Sequence, residues 1–246
     1  MLRSIWTILV TVAATLFFGS AAIVGCLILR KGNSGVIMGG MWSRIILRAA
    51  GIRIRYEGLD NRALDHSCVY IANHQSMVDI WALLPVLPRE TRFVAKESLF
   101  RIPVLGWAIR AAGFIPIDRS NISKAMRSLE KAGAKIRAGN SVILFPEGTR
   151  SEDGNLRPFK KGAFHMALKA RVPICPVTIQ GSFQRLQPST LRITQGEVVV
   201  RFGKALDTVG YTENSVNELK DELHRRIEST LEELEIRSAT EKEAAG

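Results

Sequence analysis

Residues Ile5 to Leu29, IWTILVTVAATLFFGSAAIVGCLIL, run for 25 positions without a charge. A helix of about 20 such residues crosses the hydrocarbon core of a bilayer, so any fold must place this stretch in lipid or in a large interior. A secretory signal peptide is the competing assignment, with Arg3 as its basic start and a Gly-Ser-Ala site near residue 20. The apolar run continues well past that point, which argues against cleavage there. Thr7, Thr11, Thr15 and Gly19 recur at every fourth position. The stripe is compatible with two arrangements: a seat for a neighbouring helix, or threonines that each bond the backbone of their own helix.

After the turn residues Gly32-Asn33-Ser34-Gly35 comes VIMGGMWSRIILRAAG, too short to span. Arg44 and Arg48 fall one turn apart beside Trp42, Ile45, Ile46 and Leu47, which predicts a basic amphipathic helix at a membrane surface. A core helix of a soluble protein would give a related pattern. Arg30, Lys31, Arg44, Arg48, Arg53 and Arg55 follow the apolar run, while Arg3 alone precedes it. This bias places the body of the chain on the cytoplasmic side, and it suits a crossing helix and a re-entrant one equally.

The charge is unevenly spread. From Glu213 onward ten acidic and five basic residues carry −5, so of the formal +11, residues 1–212 hold +16. That body calls for an anionic partner: lipid headgroups, small phosphorylated substrates or nucleic acid. No zinc-finger spacing and no RNA-recognition aromatic signature occurs, so nucleic acid is not the expected partner. Cys26, Cys68 and Cys175 are scattered with no C-x-x-C, as fits buried thiols in a reducing compartment.

From residue 52, short β-branched runs alternate with helical patterns. Strands are predicted at 52–57, 67–73, 91–96, 114–118, 141–147, 174–180, 191–194 and 197–203. Helices are predicted at about 77–87, 100–112, 122–138 and 162–170. A final helix at about 215–237 opens on a Ser215/Glu218 capping box and carries the stripe Val216, Leu219, Leu223, Ile227, Leu231 and Leu234. Residues after Ser238 are expected to fray. The pattern predicts an α/β fold, a mixed central sheet flanked by helices and preceded by an N-terminal membrane-docking helix pair. Residues 1–50 would form that pair, 51–212 the α/β domain, and 213–246 the C-terminal helix and tail.

Two stretches carry chemistry. In NHQSMVD, five residues of ideal helix turn about 500°, so His74 and Asp79 would not share a face. They meet only if His74 lies in the loop before the helix and Asp79 in its first turn, with Ser76 as N-cap. Asp79 would then bond one imidazole nitrogen and leave the other free to take a hydroxyl proton. A turn histidine beside a capping aspartate has the same sequence. In ILFPEGTRS, a strand broken by Pro146 and Gly148 delivers Glu147, Thr149 and Arg150 to the sheet edge, where open α/β sheets bind ligands. Arg150 is a fork for phosphate, with Thr149 and the Gly148 N–H as further donors. A plain turn with a solvated arginine is the alternative. Lys96 and the pair Asp118-Arg119 also stand at strand ends, and Pro173 and Pro176 flank an apolar strand as a wall. His66, His165 and His224 have no ligand spacing around them, so no metal is expected. Trp81 and Trp107 are expected in the core.

The four blocks NHQSMVD, GFIPIDR, FPEGTRS and VPICPVTI, in this order over roughly residues 50–205, resemble the glycerolipid acyltransferases, and among them the bacterial 1-acyl-glycerol-3-phosphate acyltransferases. The resemblance implies that His74 is the general base and Asp79 its orienting acid. It implies that Arg119, Glu147, Gly148, Thr149 and Arg150 bind glycerol phosphate. Lys96 would face the phosphate or the oxyanion, with a backbone N–H near Gly148 as an alternative oxyanion donor. The implied reaction is direct acyl transfer from acyl carrier protein or coenzyme A thioester to the sn-2 hydroxyl of lysophosphatidic acid. It needs no metal and no cofactor beyond that co-substrate. The implied location is a bacterial inner membrane, with the catalytic domain on its cytoplasmic face. Other acceptors (glycerol 3-phosphate, a lysophospholipid, a lyso-aminolipid) and a non-catalytic basic membrane-surface module are the alternatives.

Overall fold

The structure, a computed structural model, describes residues 1–29 and 32–245, so Arg30 and Lys31 of the cationic set lie outside the described residues. Helix α1 (Leu2–Leu29) and helix α2 (Asn33–Ala50) form an antiparallel hairpin. It is tied at three levels: Cys26 to Ser34, Thr15 to the Trp42 indole N–H at 3.0 Å, and Ala50 O to Arg3. By length and composition α1 is the one helix among the described residues that could cross a membrane. Both arrangements of the threonine stripe coexist. Thr7, Thr11 and Thr15 each donate to the carbonyl four residues back at 2.6–2.8 Å. The same stripe also seats neighbours, since a side chain at Gly19 would come within 2.7 Å of Val104.

Seven strands form one sheet: β1 (Ile52–Glu57), β2 (Val69–Ala72), β3 (Thr91–Lys96), β4 (Ile115–Ile117), β5 (Ser141–Leu144), β6 (Ile174–Gln180) and β7 (Gly196–Phe202). Their order is β1-β7-β6-β2-β5-β3-β4, and every neighbouring pair is parallel except β6–β7, so the sheet is mixed as expected. Side chains alternate across the sheet. Tyr70 and Ile143 pack on the side covered by α2 and α3 (Val78–Leu83). Val69, Ile71, Val142 and Leu144 pack under α5 (Ile122–Arg137), α6 (Gly162–Ala170) and α8 (Val216–Ala245). All six stripe residues of α8 are buried, each stabilising by roughly 1.5–3 kcal/mol relative to exposure.

Several local expectations fail for identifiable reasons. Segment 191–194 is not a strand: its Ile193 N–H bonds Ser4 Oγ at 3.0 Å, docking it on α1 instead of the sheet. The helix expected at 100–112 splits into a 3-10 turn (Glu97–Arg101) and α4 (Leu105–Ala111), because Pro103 forces Ile102 into an extended conformation. Ser215 caps with Thr212 and not with Glu218, around a 3-10 turn ahead of α8. That helix runs on to Ala245, and its last turns meet the sheet edge through Arg237–Glu57 and Glu241–Arg55 pairs. Trp81 is in the core, but Trp107 is 59% exposed. The three cysteines are free and buried.

Candidate active site

Strands β2, β5, β3 and β4 are adjacent and parallel, so their carboxyl ends open on one edge. The end of β2 is fixed by Asn73, whose amide exchanges two 2.8 Å hydrogen bonds with the backbone of Ile179. The chain then wraps around one carboxylate oxygen. Asp79 Oδ2 accepts the N–H groups of Gln75 and Ser76 at 2.8 and 2.9 Å and lies 2.8 Å from His74 Nδ1. The helix begins at Val78, later than the N-cap at Ser76 implies, although Ser76 Oγ still accepts the Val78 N–H at 3.2 Å. Asp79 therefore both closes the turn and orients the imidazole. It is fully buried, and its Oδ1 has no hydrogen-bond partner among the described residues. With Nδ1–H directed at Asp79, Nε2 is the ring's free acceptor. The ring lies flat on Phe145, centroids 4.0 Å apart at 18°.

The FPEGTRS loop holds the same histidine by its backbone. Glu147 Oε1 accepts the His74 N–H at 2.6 Å, and the Ser151 N–H donates to the His74 carbonyl at 2.9 Å. The other Glu147 oxygen accepts the Arg157 N–H at 3.2 Å. Burial pushes the Glu147 carboxyl up to about 8, with the Asp79 charge acting in the same direction against these two N–H bonds. Gly148 adopts φ +78°, and its N–H donates to Phe145 O at 3.1 Å. That N–H, expected as a phosphate or oxyanion donor, is thus engaged within the turn. The Gly148 carbonyl accepts Arg119 Nη1 at 2.7 Å, joining the second block to the third.

A cavity of about 290 Å³ opens at this edge, and His74, Lys96, Arg119, Thr149 and Arg150 all line it. Glu147, bonded to the histidine's backbone N–H, does not. Apolar walls come from α1, α2 and β3, through Phe18, Trp42 and Phe93 among others. Arg119 is shifted down by burial and, in addition, by the charge of Arg150. Neither arginine forms an ion pair among the described residues, and Asp118 turns instead to Ser120 and Lys124. Two guanidinium groups without counter-charge make a place for a dianion. Lys160, passed over in the sequence, packs over the same loop, 2.8 Å from where a Gly148 side chain would begin. The KK pair ahead of α6 was its only signal.

The family described as Acyltransferase matches residues 53–180. A 1-acyl-sn-glycerol-3-phosphate acyltransferase of Saccharomyces cerevisiae is 30% identical over 95% of this chain and 78% of its own. The chloroplastic 1-acyl-sn-glycerol-3-phosphate acyltransferase BAT2 of Brassica napus is 44% identical over 51% of this chain, a match that takes in only 37% of that protein. The crystal structure of the 1-acyl-sn-glycerophosphate (LPA) acyltransferase PlsC from Thermotoga maritima superposes with a TM-score of 0.84 at 26% identity, covering 95% of each chain.

Proposed function

The chain belongs to the glycerolipid acyltransferase family, and from that membership and the site geometry we propose that it acylates the sn-2 hydroxyl of 1-acyl-glycerol 3-phosphate to give phosphatidic acid. The observation that carries the proposal is the 2.8 Å His74–Asp79 contact in a cavity shared with Arg119 and Arg150. Arg119, Thr149 and Arg150 hold the phosphate, so that hydroxyl and thioester meet as an intramolecular pair. His74 Nε2 takes the hydroxyl proton as the oxygen attacks the thioester carbonyl. Asp79 keeps the imidazole in the required tautomer and stabilises the imidazolium. Lys96 faces the oxyanion, a contact worth about 3 kcal/mol of barrier. Collapse of the tetrahedral intermediate breaks the C–S bond, and the imidazolium proton passes to the leaving thiolate.

The acyl group moves directly, with no acyl-enzyme, metal or cofactor. The co-substrate is an acyl carrier protein or coenzyme A thioester. The α1–α2 hairpin docks on the cytoplasmic face of the membrane that supplies the lysolipid, through exposed side chains such as Trp6, Leu9, Leu16 and Phe17.

The test is acyl transfer by purified protein to lysophosphatidate from each thioester. Wild type should form phosphatidic acid, and His74→Ala should lose at least roughly a thousandfold in rate. Retained activity in His74→Ala, or an acyl adduct trapped on Ser76 or Cys175, would overturn the mechanism.

A further inference from the structure

The reaction proposed above brings two acyl chains to one histidine, and among the described residues a second apolar cavity adjoins the one His74 lines, at Met77 and Arg150. The second, about 460 Å³, is lined by Ile8 and Val12 of α1, by Trp81 of α3, and by Leu186 and Ile193 of the segment docked on α1. Successive turns of α1 wall both cavities, since Thr15, Phe18, Gly19 and Ala22 face the first. Met77 and Arg150 line both, and His74 lines only the first.

That partition distinguishes the chains. The donor chain carries the carbonyl under attack, so it must begin at His74 and can occupy only the first cavity. The acceptor's 1-acyl chain does not react and hangs from the glycerol whose phosphate sits at Arg150. We infer, building on the function proposed above, that the second cavity seats the 1-acyl chain of the acceptor lipid. Leu191, 73% exposed at the rim, gives the chain a greasy way in from the bilayer.

Val12→Trp and Thr190→Trp fill the groove from two independent walls, and neither residue belongs to the reacting site. With full-length protein in detergent, acceptors of short and long 1-acyl chain are compared for binding, by calorimetry, and for transfer. Each pair of methylenes expelled from the groove should raise KM and Kd roughly tenfold for the long-chain acceptor. The shortest acceptor and the donor chain-length preference should not change. Equal constants for variants and wild type at every acceptor length would overturn the inference, as would a shift in donor preference. Should the long-chain lipid bind and the variants weaken it while wild type transfers nothing, the groove stands and the reaction fails.

Discussion

Replacing Glu147 with Gln separates a residue that holds the histidine from one that holds substrate. The native carboxyl is 4% exposed and pushed from the ordinary 4.5 up to about 8. A folded-state value above the unfolded one means that between about pH 4.5 and 8 the native protein retains a proton the unfolded chain has lost. Native stability therefore falls as pH rises through that window. At 1.36 kcal/mol per unit the full loss above pH 8 is about 5 kcal/mol. Gln cannot ionise, so the variant lacks this slope. It also loses one acceptor, since an amide NH2 replaces a carboxylate oxygen, leaving the N–H of His74 or Arg157 without a partner at a cost of about 1–3 kcal/mol. Glu147→Gln should be about 1–3 kcal/mol less stable than wild type at pH 5 and about 2–4 kcal/mol more stable at pH 9. Denaturant unfolding in detergent at both pH values reads the crossover. Kinetically the loss should fall on kcat, with acceptor KM within about twofold, because the carboxylate bonds the His74 backbone and does not line the cavity. Parallel stability curves for the two proteins, or a rise confined to acceptor KM, would refute this and return Glu147 to the substrate-binding role that the resemblance implies.

Asp79→Asn should lower kcat about 10³–10⁴-fold with little change in acceptor KM, since the amide admits the wrong imidazole tautomer; steady-state rates with saturating thioester measure it. Arg150→Ala should raise acceptor KM about 10–100-fold, the worth of one charged hydrogen bond, and leave donor KM unaffected; unchanged acceptor KM would remove the phosphate from this loop.

The parts that the sequence makes legible are those whose cause is local. Strands β1 and β6 are legible to the residue: IRIRYE alternates apolar and charged because only its Ile52, Ile54 and Tyr56 face packs in the core, whereas ICPVTIQ is a short, nearly continuous apolar run buried on both faces. The order β1-β7-β6-β2-β5-β3-β4 has no such signature, being set by which strands meet across the chain. The C-terminal helix outlasts its expected end, and beyond that end Glu241 pairs with Arg55, 186 positions away in the sequence. The histidine shows the same division within one residue. Its bond to Asp79 spans five positions and can be derived from helix geometry, so the dyad could be posed as a question from NHQSMVD alone. Its N–H bond to Glu147 spans 73, and FPEGTRS reads the same whether that carboxylate faces a ligand or folds back onto the histidine's backbone. A block that looks like a binding loop can therefore also be a clamp. Backbone bonds to both the N–H and the C=O of His74 tie the FPEGTRS loop to the histidine, so in the reaction proposed above an acceptor anchored at Arg150 would have its hydroxyl placed relative to Nε2 by the same loop.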